Sequence, residues 1–156
     1  MKFYAGIGSR SCPPEECEKL SRIASILEKR SYVLRSGGAE GADKAFEAGI
    51  IQPSMKEILR PKHSTKEAEL IASTIHPAWH MCNEYARQLH GRNVQLVLGK
   101  ALDTPVDFVI AWTYDGADRG GTRTGLVLAA SKDIPTFNLA KYNDVKWFSE
   151  FMLEMK

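Results

Sequence analysis

Residues 32–50 read YVLRSGGAEGADKAFEAGI, and this stretch decides the fold class. Tyr32 to Leu34 is a short apolar run typical of a buried strand, and Lys44 to Ile50 has the spacing of a helix. Residues 35–43 between them are nearly all small and include three glycines. A strand that passes through a glycine loop into a helix is the repeating unit of α/β proteins.

The same order recurs on both sides of this stretch. Lys2 to Gly8 predicts a strand, and Glu15 to Arg30 predicts an amphipathic helix with one apolar stripe. The later segments predict a weak strand at 55–59, helices at 65–72 and from 78 to about 98 with a break at Gly91, a strand at 106–113, a helix at 122–132, a strand at 135–139 and a last helix from 143. The run VDFVIAWT at 106–113 is the most strand-like and predicts the centre of the sheet. We therefore expect one Rossmann-like α/β domain over residues 1–156, with three layers and a mainly parallel central sheet.

Composition excludes several classes of protein. The 156 residues carry 21 basic and 19 acidic side chains, which is not the basic excess of a protein that binds nucleic acid mainly through its phosphates. Three cysteines predict free thiols rather than a disulfide framework. No apolar run approaches the roughly 20 residues of a membrane span, and the start MKFYAGIGSR lacks a signal peptide. These features predict a cytoplasmic protein with no membrane partner.

Three glycine-containing segments lie where a strand is expected to run into a helix. Glycine lets backbone amides approach an anion, and a helix start adds unpaired N–H groups, so the three loops predict a phosphate site. The alternatives are a plain tight turn for the first loop, helix capping by Thr122, and a contact of Asp43 with the helix dipole rather than with a ribose hydroxyl. The predicted ligand-binding residues in these loops are Gly8, Ser9, Arg10, Ser36, Gly37, Gly38, Ala39, Gly41, Asp43, Gly120, Gly121, Thr122, Arg123 and Thr124.

The segment at 76–93 concentrates histidines, arginines and a tryptophan. Trp79, Arg87 and Arg92 are predicted ligand contacts, with His80 and His90 as further candidates and a core role for Trp79 as the alternative. His76 and His80 have a helical spacing, but Pro77 interrupts it, so we predict neither a metal nor a cofactor. Thr113 and Asp115 follow the strand at 106–113 and are expected near the ligand.

Two motifs carry a family resemblance. Ser36-Gly-Gly-Ala-x-Gly-Ala-Asp43 and Gly120-Gly-Thr-x-Thr124 resemble the SLOG superfamily, which joins DNA-processing protein A with the Lonely Guy proteins. The resemblance runs from Tyr4 to Leu139, and a compact domain of this kind also resembles proteins carried by bacteriophages. Relatives of this type often form dimers, so the resemblance implies a homo-oligomer.

The resemblance implies three functions for the loops. In some members they bind nucleotide-derived signals, and the first hypothesis is therefore a nucleotide-binding protein that acts as a sensor or sequestering protein. Lonely Guy enzymes cleave the N-glycosidic bond of nucleoside monophosphates, but their motif glutamate is replaced here by Gly125, which leaves Glu84, Asp115 or Asp118 as sources of a carboxylate. In the DNA-processing branch the loops bind DNA phosphates, and the third hypothesis is therefore a single-stranded DNA-binding module.

Overall fold

The computed structural model describes residues 1–155 and contains a five-stranded sheet whose neighbouring strands are all parallel. The strand order is β3-β2-β1-β4-β5. The strands are β1 (Lys2–Gly8), β2 (Tyr32–Ser36), β3 (Lys56–Ile58), β4 (Phe108–Trp112) and β5 (Thr136–Asn138). The helices are α1 (Pro14–Lys29), α2 (Ala42–Ala48), α3 (Lys66–Ser73), α4 (Glu84–Leu98), α5 (Gly120–Ser131) and α6 (Tyr142–Glu154). The predicted α/β class and parallel sheet are confirmed.

Two apolar cores cover the two faces of the sheet. Side chains alternate along β4, so that Phe108 and Ile110 pack with α1, α2 and α6, whereas Val109 and Ala111 pack with α3, α4 and α5. All five β4 residues are buried, as expected for a parallel strand with helices on both faces. The result is the predicted three-layer arrangement.

Three details differ from the sequence predictions. β1, not β4, is the central strand of the sheet, with β4 beside it. α4 begins at Glu84 rather than Ala78, because the Asn83 side chain accepts a hydrogen bond from the N–H of Ala86 and caps the helix there. Gly91 does not break α4. It lies where α3 and α4 pack closely, and a Cβ at this position would collide with Ser64.

The strand order predicts a crevice between β1 and β4 at the edge of the sheet. The chain passes from β1 to β2 and β3 on one side, then returns to β4 and β5 on the other. The loops after β1 and β4 therefore diverge at the carboxyl edge of the sheet, where open α/β sheets bind their ligands. Within residues 1–155, no helix is long and apolar enough to cross a membrane.

Candidate functional site

A pocket of about 320 Å³ opens at this switch point between β1 and β4. Its walls come from the loops after β1 and β2, from α4 and from the start of α5. We call it the central pocket, and it is lined by Ile7, Gly8, Arg10, Ala39, Asp43, Tyr85, Leu89, His90, Arg92, Asn93, Gly121 and Thr122. It brings together predicted residues from all three glycine loops and from α4.

Ser9 ties the three loops together. Its N–H donates to the carbonyl of Trp112 at 2.9 Å, and its own carbonyl accepts from the N–H of Ala42 at 3.0 Å. Its Oγ accepts from the N–H of Tyr114 at 2.9 Å. These bonds reach the end of β4, the start of α2 and the loop after β4, so Ser9 fixes the positions of these three segments relative to one another.

The second glycine loop uses its own side chains to satisfy its amides. The N–H of Gly38 donates to Ser36 Oγ at 3.3 Å, and the N–H of Ala39 donates to Asp43 Oδ2 at 3.3 Å. Ser36 is fully buried and donates in turn to Glu47 Oε2 at 2.6 Å. Two amides that the sequence suggested for an anion are therefore already bonded within the loop.

Two arginines hold the carbonyls of the same loop. Arg92 Nη1 donates to the carbonyl of Gly37 at 2.9 Å, and Arg60 Nη1 donates to the carbonyl of Gly38 at 2.9 Å. Gly38 adopts a φ of 72°, in the left-handed region. Two arginines therefore fix the loop, and its Ala39 lines the central pocket.

The start of α5 is an uncapped helix N-terminus at the edge of the pocket. Arg119 occupies the N-cap position, and no side chain caps this helix. Gly121 and Thr122 line the central pocket, and a Cβ on Gly120 would meet no atom within 4 Å. An uncapped helix start leaves N–H groups and a partial positive charge facing the pocket.

Burial governs the charges of the ionisable side chains that line the pocket. Asp43 is 6% exposed, and burial raises its pKa to about 6, opposed by the N–H of Ala39 and the positive charge of Arg92. Arg92 is also buried, and its pKa is lowered by desolvation. The pKa of His90 is lowered by burial and by His76. The pocket thus combines buried polar side chains with the electropositive helix start.

A second pocket of about 220 Å³ adjoins the first and shares Thr122 with it. We call it the β4 pocket, and it is lined by Ser9, Thr113, Tyr114, Asp115, Ala117, Arg119, Gly120 and Thr122. Thr113 Oγ1 accepts from Asn138 Nδ2 at 2.7 Å, and Asp115 pairs with Arg119 at 2.6 Å. The two residues predicted to follow β4 therefore lie here rather than in the central pocket.

Several predicted residues lie outside both pockets. The Arg123 guanidinium faces the carbonyl of Ile75 at 3.4 Å, and Arg87 lies over the Trp79 ring and donates to the Trp79 carbonyl. Thr124 is buried and hydrogen-bonded to His90 at 2.8 Å. His80 is exposed and also lies outside. The predicted residues that form neither lining are Ser36, Gly37, Gly38, Gly41, Trp79, Arg87, Arg123 and Thr124.

Sequence reasoning missed Ile7, Tyr85, Leu89 and Asn93 in the central pocket. Tyr85 resembles a core residue by spacing, yet it is 59% exposed. Asn93 lies next to Gly121 and is buried. The sequence does contain a signal for Asn93, because His90, Arg92 and Asn93 are polar residues that precede the mainly apolar end of the same helix.

A larger groove lies elsewhere. It measures about 580 Å³, runs between α1 and α6, and is lined mainly by apolar side chains such as Ile23, Phe148 and Met152. No glycine loop reaches it, and its charged side chains, such as Glu16 and Arg22, belong to α1 and its end. The chemistry of phosphate recognition therefore points to the smaller pockets.

Comparison with known proteins supports the fold. No protein-family model matches the sequence, and no curated protein matches it significantly. The chain is similar to a solved structure of DNA processing protein A from Helicobacter pylori, described for its single-stranded DNA binding mode. The TM-score is 0.58 at 21% sequence identity, and the match covers 88% of this chain and 64% of that one. At this identity the similarity establishes a shared fold.

Proposed function

We propose that the chain binds a nucleotide or nucleotide-derived molecule in the central pocket, with its phosphate at the start of α5. The observation that carries the proposal is the uncapped helix start at Gly120 to Thr122, which faces a pocket beside the exposed Arg10. Within residues 1–155 no hydrogen bond or ion pair engages the Arg10 guanidinium, which leaves it able to pair with a phosphate.

Polar side chains that line the same pocket suit the sugar and base. Asp43 and Asn93 offer oxygen acceptors and an amide donor for ribose hydroxyls. Asp43 carries negative charge above about pH 6 and disfavours a phosphate beside it. The charge distribution therefore orients the ligand with its phosphate toward α5.

Single-stranded DNA is a second candidate, favoured by a track of three connected pockets. Tyr85 lines both the central pocket and a surface pocket beside Arg60 and Lys62, and Thr122 connects the central pocket to the β4 pocket. Tyr85 and Tyr114 are 59% and 74% exposed, as stacking platforms for bases are. The similar fold of DNA processing protein A, which was described for its single-stranded DNA binding mode, supports this candidate.

Hydrolysis of a nucleoside monophosphate would need a carboxylate near the sugar. Gly125 is buried, and a Cβ there would lie 3.2 Å from Ile7, so α5 offers no carboxylate at this position. Asp115 is paired with Arg119, and Glu84 lies outside both pockets. Asp43 is the carboxylate of the central pocket, and release of free base is the observation that separates an enzyme from a binding protein.

The first test is a thermal-shift panel of nucleoside monophosphates, cyclic dinucleotides, adenosine diphosphate ribose derivatives and short single-stranded oligonucleotides. A ligand that binds only the folded state raises the melting temperature. Arg10→Ala should weaken binding of the best ligand about tenfold, the loss of one charge-assisted phosphate contact, with little change in stability.

Arg22→Ala is the matched control, because Arg22 is an exposed arginine on α1, away from both pockets. Equal affinity in the Arg10 and Arg22 variants would remove the phosphate assignment. Samples analysed for free base after incubation distinguish hydrolysis from binding. We also propose that the chain belongs to the SLOG superfamily and assembles as a homo-oligomer.

A further inference from the structure

We propose that His76, Cys82 and His90 form a zinc-binding site at the junction of the α3–α4 loop and α4. A nitrogen of each imidazole and the Cys82 sulfur all lie within 4.8 Å of one another. His76 and Cys82 come from the loop, His90 comes from the helix, and the sequence spacing of the three gives no metal motif. The fold, not a local pattern, brings them together.

The distances are close to those of a tetrahedral zinc site. Zinc bonds of about 2.3 Å to sulfur and about 2.0 Å to nitrogen imply sulfur-to-nitrogen separations of about 3.6 Å. The Cys82 sulfur lies 3.7 Å from His76 Nε2. His90 contributes a nitrogen within 4.8 Å of the other two ligand atoms and completes the set after a small side-chain movement.

The donor set selects the metal. One thiolate and two imidazoles are borderline-soft ligands that favour zinc, whereas magnesium and calcium require oxygen ligands. Cys82 forms no disulfide. Three protein ligands leave the fourth tetrahedral position for a water molecule.

Neighbouring groups orient the ligands. One ring nitrogen of His90, Nδ1, is hydrogen-bonded to Thr124 Oγ1 at 2.8 Å, which leaves Nε2 as the ligand atom. Histidine ligands of zinc commonly have such a partner on their other nitrogen. His76 Nδ1 accepts from the N–H of Ala78 at 3.0 Å, and this bond must be given up on metal binding. The metal-ligand bonds formed in exchange are far stronger.

Aromatic packing alone is the competing explanation for the cluster. The His76 and His90 rings are edge-to-face with centroids 4.5 Å apart, and Trp79 packs against both. Packing accounts for the arrangement of the three rings. It requires no sulfur beside the imidazole nitrogens, and metal binding therefore predicts a role for Cys82 that packing does not.

The test uses the untagged full chain, stripped with a chelator and titrated with zinc or cobalt(II). We expect one metal ion per chain, and with cobalt an absorption band from charge transfer between thiolate and metal. Cys82→Ser should abolish that band and lower zinc affinity by at least about 100-fold, more than the loss of an outer hydrogen-bond partner costs. Thr124→Val keeps every ligand and should lower zinc affinity about tenfold through the orientation of His90.

Cys17→Ser and His80→Gln are the matched controls, since Cys17 is another free thiol and His80 is an exposed histidine of the same loop. Both should bind cobalt as the unmodified chain does. Absence of the charge-transfer band in the folded unmodified chain would overturn the proposal, whether or not the variants fold. Nucleotide binding by the metal-free chain has no bearing on this outcome, so the two proposals fail separately.

Discussion

Asp43 combines two properties that are usually kept apart: it is buried at the junction of two glycine loops, and it is ionisable near neutral pH. Burial raises its pKa to about 6, above the ordinary value of 3.8. The folded state therefore holds this proton between about pH 4 and 6, whereas the unfolded chain has released it. Stability contributed by Asp43 is fully present below about pH 4 and is lost as the pH rises through about 6.

Asp43→Asn should remove this pH dependence. Asparagine keeps an oxygen that accepts from the N–H of Ala39 but cannot ionise. Between about pH 4 and 7 the unmodified chain should lose about 2–3 kcal/mol of unfolding free energy from this group, since one pKa unit equals about 1.4 kcal/mol. The variant should not lose this unfolding free energy, and urea unfolding at several pH values measures the difference. Asp103→Asn, at an exposed carboxyl, is the control and should leave the pH dependence of the unfolding free energy unchanged. If Asp43→Asn kept the same pH dependence, the assignment of that dependence to Asp43 would be wrong.

At the scale of elements, the loops after β1 and β2 are locked at Gly41. This residue precedes α2 with a φ of 83°, and a Cβ here would collide with the carbonyls of Ser9 and Arg10. Backbone cannot move aside as a flexible side chain can. Gly120 also has a positive φ of 54°, but its Cβ would enter open space. Comparing substitutions at the two glycines therefore distinguishes the cost of positive-φ strain from the cost of steric collision.

Gly41→Ala should cost about 2–4 kcal/mol of unfolding free energy, from positive-φ strain together with the collision. Gly120→Ala should cost only about 1 kcal/mol, the strain alone. Chemical unfolding of both variants measures the difference. Equal costs would mean that the contact between the two loops is loose and that the central pocket is less rigid than the structure shows.

Local pattern was sufficient to predict the elements but not their ends or their contacts. Alternating strand and helix patterns, together with apolar runs such as 106–113, predicted the parallel sheet correctly. The continuity of α4 was missed, because Gly91 signals a break by propensity, whereas close packing against Ser64 favours glycine inside the helix. Propensity is local, and this contact joins residues far apart in the chain.

At the scale of the whole molecule, the glycine loops were visible in the sequence but their different roles were not. Ser36 and Arg123 have the chemistry of phosphate contacts, yet one is buried against Glu47 and the other faces Ile75. Tyr85 contributes to the pocket although its spacing suits a core. Which side of a helix faces the pocket depends on how α4 and α5 pack together, and that arrangement follows from the complete fold.

Salt dependence distinguishes a site for one nucleotide from a track for a strand. The chain carries a net charge of only +2, so nucleic-acid affinity must come from cations around the pockets, such as Arg10, Arg60, Lys62 and Arg119. Each phosphate of a single strand that these cations neutralise contributes about −0.7 to the slope of log affinity against log salt. A site that holds one phosphate at α5 predicts a slope of about −0.7 for an oligonucleotide and no steeper slope for a mononucleotide. Fluorescence anisotropy across a salt series measures the slope for both ligands. Lys62→Ala tests whether the surface pocket beside Arg60 and Lys62 takes part in binding. A slope of about −3 for the oligonucleotide, reduced by Lys62→Ala, would mean that about four phosphates are bound and would establish the strand as the ligand.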